Sequence, residues 1–231
     1  MEKKLKFAVL LSGCGVYDGA EIHESVSVLL ALDKMGIEAV CTAPNIEQHH
    51  VINHLTGEEM PEKRNVLVEA ARIARGNIVD VANLNVAELD GLVMPGGFGV
   101  AKNFTKWAFE GPAGAIIEPI KKVIQDFYKA GKPIGAVCMS PTTVAKALEG
   151  IANVQLTVGN TIEKSPYDIK AISEGINSTG STAVMVSVNE VFVDKANKIV
   201  TSPCYMMEAS ISQIYAGAEN TIAKMKELIS T

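Results

Sequence analysis

The sequence has few of the features that mark nucleic-acid-binding, secreted or membrane-spanning proteins. Its 231 residues carry 21 Lys and Arg against 26 Asp and Glu, for a net charge of −5. No dense basic run is present, and because a phosphate backbone requires a basic stripe, nucleic acid is not expected as a partner. No stretch of about 20 uninterrupted apolar residues occurs, so no membrane span is expected.

Cysteine and histidine are scarce as well. No Cys-x-x-Cys pair is present, and no histidine spacing near a cysteine is typical of a zinc site. Scattered cysteines indicate a reducing compartment, and the N-terminus lacks the apolar region of a secretory signal. We therefore predict a cytoplasmic protein, with an organellar presequence removed from the chain as the open alternative. The four cysteines are Cys14, Cys41, Cys138 and Cys204.

Short apolar runs alternate with helical periodicities along the chain. A strand at 6–11, a helix at 21–35 and a strand at 37–41 have the order of a βαβ unit with parallel strands. From this alternation we predict one α/β domain over residues 1–231, with a doubly wound, mostly parallel sheet and helices on both faces. Residues 51–60 are predicted as a hairpin or loop excursion. Further strands are predicted at 89–94, 133–137, 154–158, 183–188, 191–193 and 199–200, and further helices at 66–75, 116–129, 141–148 and 206–228.

The stretch around Cys138 is the most informative of the loops that follow predicted strands. Ligands of open α/β sheets bind at the carboxyl ends of the strands. Cys138 comes directly after a predicted strand, and Ser140-Pro141 opens a helix. This order is typical of a nucleophile elbow with Cys in place of Ser, and the helix N-terminus is expected to favour the thiolate. The alternative is that Cys138 is a small buried hydrophobic side chain.

Two neighbouring features complete a candidate catalytic group. The turn at 95–99, Pro-Gly-Gly-Phe-Gly, lacks the spacing of a phosphate-binding loop. It can instead present an amide that forms an oxyanion hole with the Met139 amide, although the glycines can also serve only a turn with positive φ. Glu24 lies on the inward stripe of the predicted first helix, where a protonated carboxyl can donate a hydrogen bond to a Cys138 thiolate. Its alternative is an exposed glutamate near a helix N-terminus.

Several blocks of the sequence carry a family resemblance. They read LLSGCGVYDG at 10–19, EIHE at 21–24, VINHLTG at 51–57, RNVL at 64–67, PGGFG at 95–99 and KIVT at 198–201. In these blocks the chain resembles the ElbB family of isoprenoid-biosynthesis-associated glyoxalases, also called sigma cross-reacting protein. That family is a branch of the ThiJ/PfpI group within the class I glutamine amidotransferase-like fold.

The resemblance implies a flavodoxin-like fold, a homodimer and no cofactor. It also implies a weak, glutathione-independent glyoxalase activity on a small carbonyl substrate, glyoxal to glycolate, or the deglycation of early carbonyl adducts. By the resemblance, Cys138 is the nucleophile, Glu24 the helix carboxyl beside it, and Gly97 and Met139 supply the oxyanion-hole amides.

The chain departs from the wider superfamily in one respect. Many members place a histidine shortly after the helix that carries the nucleophile, whereas residues 157–161 contain none. A Cys-His-acid triad is therefore not predicted, which argues against glutaminase activity. A redox- or electrophile-sensing or metabolite-binding module that uses Cys138 is the main alternative, because sensing requires no base. An amide hydrolase ranks last and would need a base from across a dimer interface. All four histidines precede Cys138: His23, His49, His50 and His54.

Overall fold

Strands and helices alternate along the chain, and the computed structural model describes residues 4–229. The strands are β1 (Lys6–Leu10), β2 (Glu38–Ala43), β3 (Ile78–Asp80), β4 (Gly91–Met94), β5 (Ile134–Val137), β6 (Gln155–Leu156), β7 (Thr182–Ala183), β8 (Phe192–Asp194) and β9 (Ile199–Ser202). The α-helices are α1 (Ile22–Lys34), α2 (Val66–Ile73), α3 (Trp107–Glu110), α4 (Glu118–Lys129), α5 (Ser140–Leu148), α6 (Ile169–Ser178) and α7 (Ile211–Ile229).

Seven strands form the central sheet, in the order β3-β2-β1-β4-β5-β9-β8. Every neighbouring pair is parallel except β8 and β9. Because β4, β5 and β9 run in the same direction, their carboxyl ends meet at one edge of the sheet. β6 and β7 form a separate parallel pair. The prediction of a mostly parallel, flavodoxin-like sheet is confirmed.

Helices cover both faces of this sheet. On β1, Phe7 and Val9 pack with α1, α2 and α7, whereas Ala8 and Leu10 belong to the core formed with α4, α5 and α6. Successive side chains of a strand point to opposite faces, so an unbroken apolar run such as β1 is the pattern of a strand buried on both sides. No helix between residues 4 and 229 is long and apolar enough to cross a lipid bilayer.

Several short elements differ from the prediction. The strand predicted at 183–188 shrinks to the two residues of β7, and α7 begins at Ile211 rather than at 206 because a 3₁₀ turn occupies Cys204–Met206. The predicted hairpin at 51–60 is present as a bridge between Ile52 and Glu59. The pattern did not predict β3, α3 or α6. Of these, α6 has a local signal, since the Asp168 side chain caps it by accepting the Ala171 N–H.

Helix α7 approaches β5 closely because β5 carries a glycine. A Cβ on Gly135 would lie 2.4 Å from Met225 Sδ and 3.1 Å from Thr221 Cγ2. The first contact is closer than packed side chains allow and the second is tighter than most, so the absence of a side chain at 135 sets the spacing between α7 and the strand that carries Cys138.

This contact predicts a coupled pair of substitutions. Gly135→Ala is expected to lower the free energy of unfolding by about 1–3 kcal/mol through overpacking, and Met225→Ala by about 2–5 kcal/mol through the cavity it leaves. The double variant should lose less than the sum, because the added methyl group fills part of that cavity. Urea denaturation of the four proteins measures the coupling, and strict additivity would contradict the contact.

Candidate active site

Cys138 lies in a strained turn between β5 and α5. Its φ of 59° is in the left-handed region, which a side chain other than glycine rarely occupies. The Cys138 N–H donates to the Ser202 carbonyl at 2.9 Å, and the Ser140 hydroxyl donates to the Pro95 carbonyl at 2.6 Å. These bonds tie the turn to the ends of both flanking strands, β9 and β4, and hold it in the strained conformation.

The two glycines after β4 allow other groups to come close to the Cys138 sulfur. A Cβ on Gly96 would lie 2.5 Å from Cys138 Cβ, 2.8 Å from its Sγ and 2.9 Å from Glu24 Oε2. Gly97 has a φ of 96°, and its Cβ would lie 2.4 Å from the Gly19 carbonyl oxygen. A side chain at either position would separate the loops that meet here.

Glu24 is fully buried beside the cysteine. Its Oε2 accepts the Gly96 N–H at 2.8 Å and its Oε1 accepts the Tyr205 N–H at 3.2 Å. Burial, with a smaller contribution from the charge of Glu21, raises the pKa of Glu24 to about 8. A hydrogen bond also joins the Glu24 carboxyl to the Cys138 thiol. At neutral pH the carboxyl is therefore largely protonated.

The ionisation of Cys138 differs from what the helix N-terminus predicts. The side chain is only 5% exposed. Burial, and next the charge of Glu24, raise the pKa of the Cys138 thiol well above its usual range, and a hydrogen bond from the Gly97 N–H offsets only part of this effect. The expectation of a thiolate favoured by the helix is therefore wrong for the resting protein, because the loss of solvation outweighs the helix dipole.

Two backbone amides belong to residues that line the pocket beside the sulfur. The Gly97 N–H is directed at Cys138, and Met139 follows the cysteine at the N-terminus of α5. Within residues 4–229 the Met139 N–H donates no hydrogen bond to a backbone carbonyl. The fold thus brings Glu24 and Gly97, which are distant in the sequence, to Cys138 and its neighbour Met139.

A pocket with a cavity volume of about 120 Å³ opens onto this group. Its walls are mainly apolar, and the polar side chains among them are one carboxyl and two tyrosine hydroxyls besides the thiol. Burial raises the pKa of Tyr167 to about 12, so its hydroxyl keeps its proton. No cluster of three or more His, Cys, Asp or Glu suited to a metal ion occurs among the described residues. The lining residues are Val16, Glu21, Gly97, Phe98, Cys138, Met139, Tyr167, Ile172, Tyr205 and Met206.

The sequence reasoning missed the polar side chains of the pocket wall. Glu21 caps α1, its Oε2 accepting the Glu24 N–H at 2.6 Å, and its position directly before the helix was a usable signal. Tyr205 follows β9 at the same sheet edge, and its hydroxyl lies 2.9 Å from His23 Nδ1. Tyr167 has no comparable local signal, because it precedes the helix α6 that the pattern did not predict.

The other histidines lie outside the pocket lining. His54 stacks on Tyr17 with ring centroids 4.9 Å apart. His49 and His50 contact each other and Phe109, with centroids 4.5 Å apart for both contacts of His49. None of these three is available to Cys138 as a base.

Known proteins resemble this chain over most of its length. The human glutamine amidotransferase-like class 1 domain-containing protein 3, mitochondrial, is 42% identical over 96% of this chain and 83% of its own. The crystal structure of an isoprenoid biosynthesis protein with an amidotransferase-like domain from Ehrlichia chaffeensis superposes with a TM-score of 0.87 at 39% identity, covering 96% of this chain and 99% of that one. Glyoxalase III from Candida albicans has the same fold, with a TM-score of 0.59 at 16% identity over 95% of this chain and 97% of its own.

These relatives correct the predicted location. The human protein and its rat and zebrafish counterparts, the ES1 proteins, are all named as mitochondrial. They point to mitochondria rather than to the cytoplasm. A reducing environment, which the scattered cysteines indicate, does not distinguish these compartments, and this is why the cytoplasmic prediction was wrong.

The family itself follows from the match to a family model. The DJ-1/PfpI model covers residues 15–208, which include α1 with Glu24, the Gly96–Gly97 turn, the Cys138 elbow and the Tyr205 turn. The chain therefore belongs to the DJ-1/PfpI family.

Proposed function

We propose that the protein is a cofactor-independent glyoxalase or related deglycase of the ElbB branch, acting through Cys138. The observation that carries this proposal is the convergence of a strained cysteine, a buried and largely protonated Glu24, and two backbone amides at one end of an apolar pocket. A fold shared with a glyoxalase III supports it. The substrate is a small carbonyl compound, with glyoxal as the simplest case.

The first step is the addition of Cys138 to an aldehyde carbon. Glu24 in its ionised form takes the thiol proton, the new C–S bond forms, and the carbonyl electron pair moves to oxygen. The Gly97 and Met139 amides stabilise this oxyanion. Glu24 then returns the proton to the oxygen, which gives a hemithioacetal.

The second step moves hydrogen within the adduct. Glu24 removes the C–H proton from the carbon that bears sulfur and returns it to the neighbouring carbon through an enediol, while the hydroxyl proton of the first carbon passes to the oxygen of the second. The first carbon is oxidised to a thioester while the second is reduced to a hydroxymethyl group, so no external oxidant or reductant is required. Water then attacks the thioester, the C–S bond breaks, and glycolate and the free thiol are released.

Turnover of glyoxal by variants of the two central residues tests this mechanism. Cys138→Ala is expected to reduce activity to background, and Glu24→Gln to lower kcat by about 10²–10⁴-fold through loss of the proton shuttle. Cys41→Ala is the matched control, since this cysteine is buried in β2 and remote from the pocket lining. Undiminished glycolate formation by Cys138→Ala would defeat the proposal.

The buried carboxyl also makes stability depend on pH. The pKa of Glu24 is raised to about 8 in the folded protein, whereas an unfolded glutamate ionises near pH 4.3. Between these values the folded state holds a proton that the unfolded state has lost. The free energy of unfolding therefore falls as pH rises, by up to about 1.4 kcal/mol per pH unit from this group.

Glu24→Gln removes this dependence. Denaturation of the wild type and of this variant at pH 5 to 8 should show the wild type losing stability relative to the variant as pH rises, because only the wild type must ionise a buried carboxyl. Glu118→Gln, at an exposed position of α4, should follow the wild type at each pH. A constant difference between wild type and Glu24→Gln would show that the buried carboxyl does not titrate in this range.

The alternative role as a redox or electrophile sensor is less well supported. A sensor cysteine needs an accessible thiolate, whereas Cys138 is buried and its pKa is raised. Oxidation of Cys138 by mild peroxide no faster than that of Cys41 or Cys204 is therefore expected.

We further propose that the chain forms a homodimer through the outer face of α1. Ile22, Val26 and Leu30 recur every four residues and are 42%, 51% and 47% exposed, so they form an apolar stripe that the described residues of one chain leave about half uncovered.

A charge within this stripe tests the dimer. Val26→Glu is expected to convert a dimer to a monomer in sedimentation equilibrium, because an interface would have to bury the carboxylate. Val68→Glu is the matched control, as Val68 is 61% exposed on α2, and it should leave the dimer intact. A monomeric wild type, or a dimer that Val26→Glu does not affect, would contradict this interface.

A further inference from the structure

The charges around the pocket are unbalanced. Among residues 4–229, the pocket lining contains the Glu21 carboxyl but no lysine or arginine. Lys102 is nearby, yet it lies beyond Phe98, where its Nζ is 5.4 Å from the ring centroid and donates to the Tyr17 carbonyl at 2.8 Å. The described pocket lining therefore presents one carboxyl and no cationic side chain to neutralise an anionic ligand.

Among residues 4–229, no lysine or arginine lies within hydrogen-bond distance of the Glu21 carboxyl. Glu21 is 7% exposed, and its Oε2 is held by the Glu24 N–H at the start of α1. The imidazole of His23 has its Nδ1 4.0 Å from Glu21 Oε1, and the same nitrogen is engaged by the Tyr205 hydroxyl at 2.9 Å. A buried carboxylate is costly unless a positive charge accompanies it, and the open pocket is the side from which such a charge can come.

Aromatic rings surround the same space. Phe98 and Tyr167 meet edge to face, with centroids 5.9 Å apart at 68°, and Tyr205 lines the wall with them. Aromatic faces attract cations, and most strongly in a site that is shielded from water. Three aromatic rings and one carboxyl in an otherwise apolar pocket have the composition of an ammonium-binding site.

We infer that the pocket binds small carbonyl compounds that also carry an ammonium group, with the cation held by Glu21 and the aromatic rings and the carbonyl directed to Cys138. The inference deepens the proposed function and rests on it for the carbonyl end of the ligand. It assigns charge selection to Glu21, which touches the ligand but takes no part in the bond changes at Cys138. Anionic compounds of the same shape are excluded by the same carboxyl.

Three unreactive ligands of nearly equal shape test the charge preference. Isopentylammonium, isovaleramide and isovalerate share a branched apolar end and differ in charge. Binding is followed at pH 8 by NMR of the methionine methyl groups, because Met139 and Met206 line the pocket and can be assigned by Met→Leu variants. The cation is expected to bind at least about tenfold more tightly than the amide, which corresponds to about 1.4 kcal/mol, and the anion most weakly.

Glu21→Gln should remove this preference and little else. Glutamine keeps an oxygen that can accept the Glu24 N–H, so the start of α1 is preserved. The Kd of the Glu21→Gln variant for isopentylammonium is expected to rise about tenfold, whereas its Kd for isovaleramide should stay unchanged. Glu118→Gln makes the same change of net charge on α4, away from the pocket lining, and should behave as the wild type.

Several outcomes would overturn the inference. They are equal affinity for the cation and the amide, a preference that survives Glu21→Gln, and the absence of any shift of the two methyl signals with all three ligands. The titration involves no reaction at Cys138. Loss of the proposed function, seen as full turnover by Cys138→Ala, is therefore a separate result from loss of the charge preference.

Discussion

The hydrogen bonds to the buried carboxyl of Glu24 are the interaction on which the rest of the site depends. One oxygen accepts an amide N–H from the turn after β4 and the other accepts an amide N–H from the turn after β9. The carboxyl thereby joins α1 to two strand ends on either side of β5, and Cys138 lies at the end of β5 between them. A fully buried acid is costly without such donors. The two turns can therefore move only together, or by leaving the carboxyl without partners.

The same arrangement explains why glycines form the turn after β4 beside the sulfur. A Cβ at Gly96 would come within 3 Å of both the Cys138 sulfur and a Glu24 carboxyl oxygen. The thiol and the carboxyl can therefore lie this close to residue 96 only because it is a glycine. The positive φ of Cys138 is a second cost of the same kind. Long-range contacts at the sheet edge offset both free-energy costs, notably the hydrogen bond that the Cys138 N–H donates to the Ser202 carbonyl on β9. The strain is thus supported by the parallel pairing of β5 with β9 rather than by the turn itself.

The features that could be predicted from the sequence are those that depend on local pattern alone. A buried strand, two residues and a helix that opens with Ser-Pro identify the Cys138 turn without any tertiary information. Helical periodicity placed Glu24 on the inward stripe but left an exposed position open as the alternative. Tyr205 and Tyr167 were not predicted, because each reaches the pocket from a distant segment through a short turn or an unpredicted helix. The predicted direction of the Cys138 pKa shift was also wrong, since the pKa is raised rather than lowered. A helix dipole can be inferred from the order of elements, but burial depends on how many other segments cover the sulfur, which no local pattern contains.

The raised pKa of Cys138 is compatible with a nucleophilic role once the thiol and the carboxyl are treated as one pair. Each acid hinders ionisation of the other, so the pair loses its first proton far more readily than its second. Addition to a carbonyl needs only one negative charge, which can be on sulfur while the neighbouring carboxyl keeps its proton and donates it to the developing alkoxide. A histidine base would itself become a cation on taking the thiol proton, and within residues 4–229 Glu21 is the only aspartate or glutamate in the pocket wall. With Glu24 as proton carrier, the chemistry near the sulfur proceeds without creating a new cation, which suits a dry site and accounts for the absence of histidine from the segment after α5.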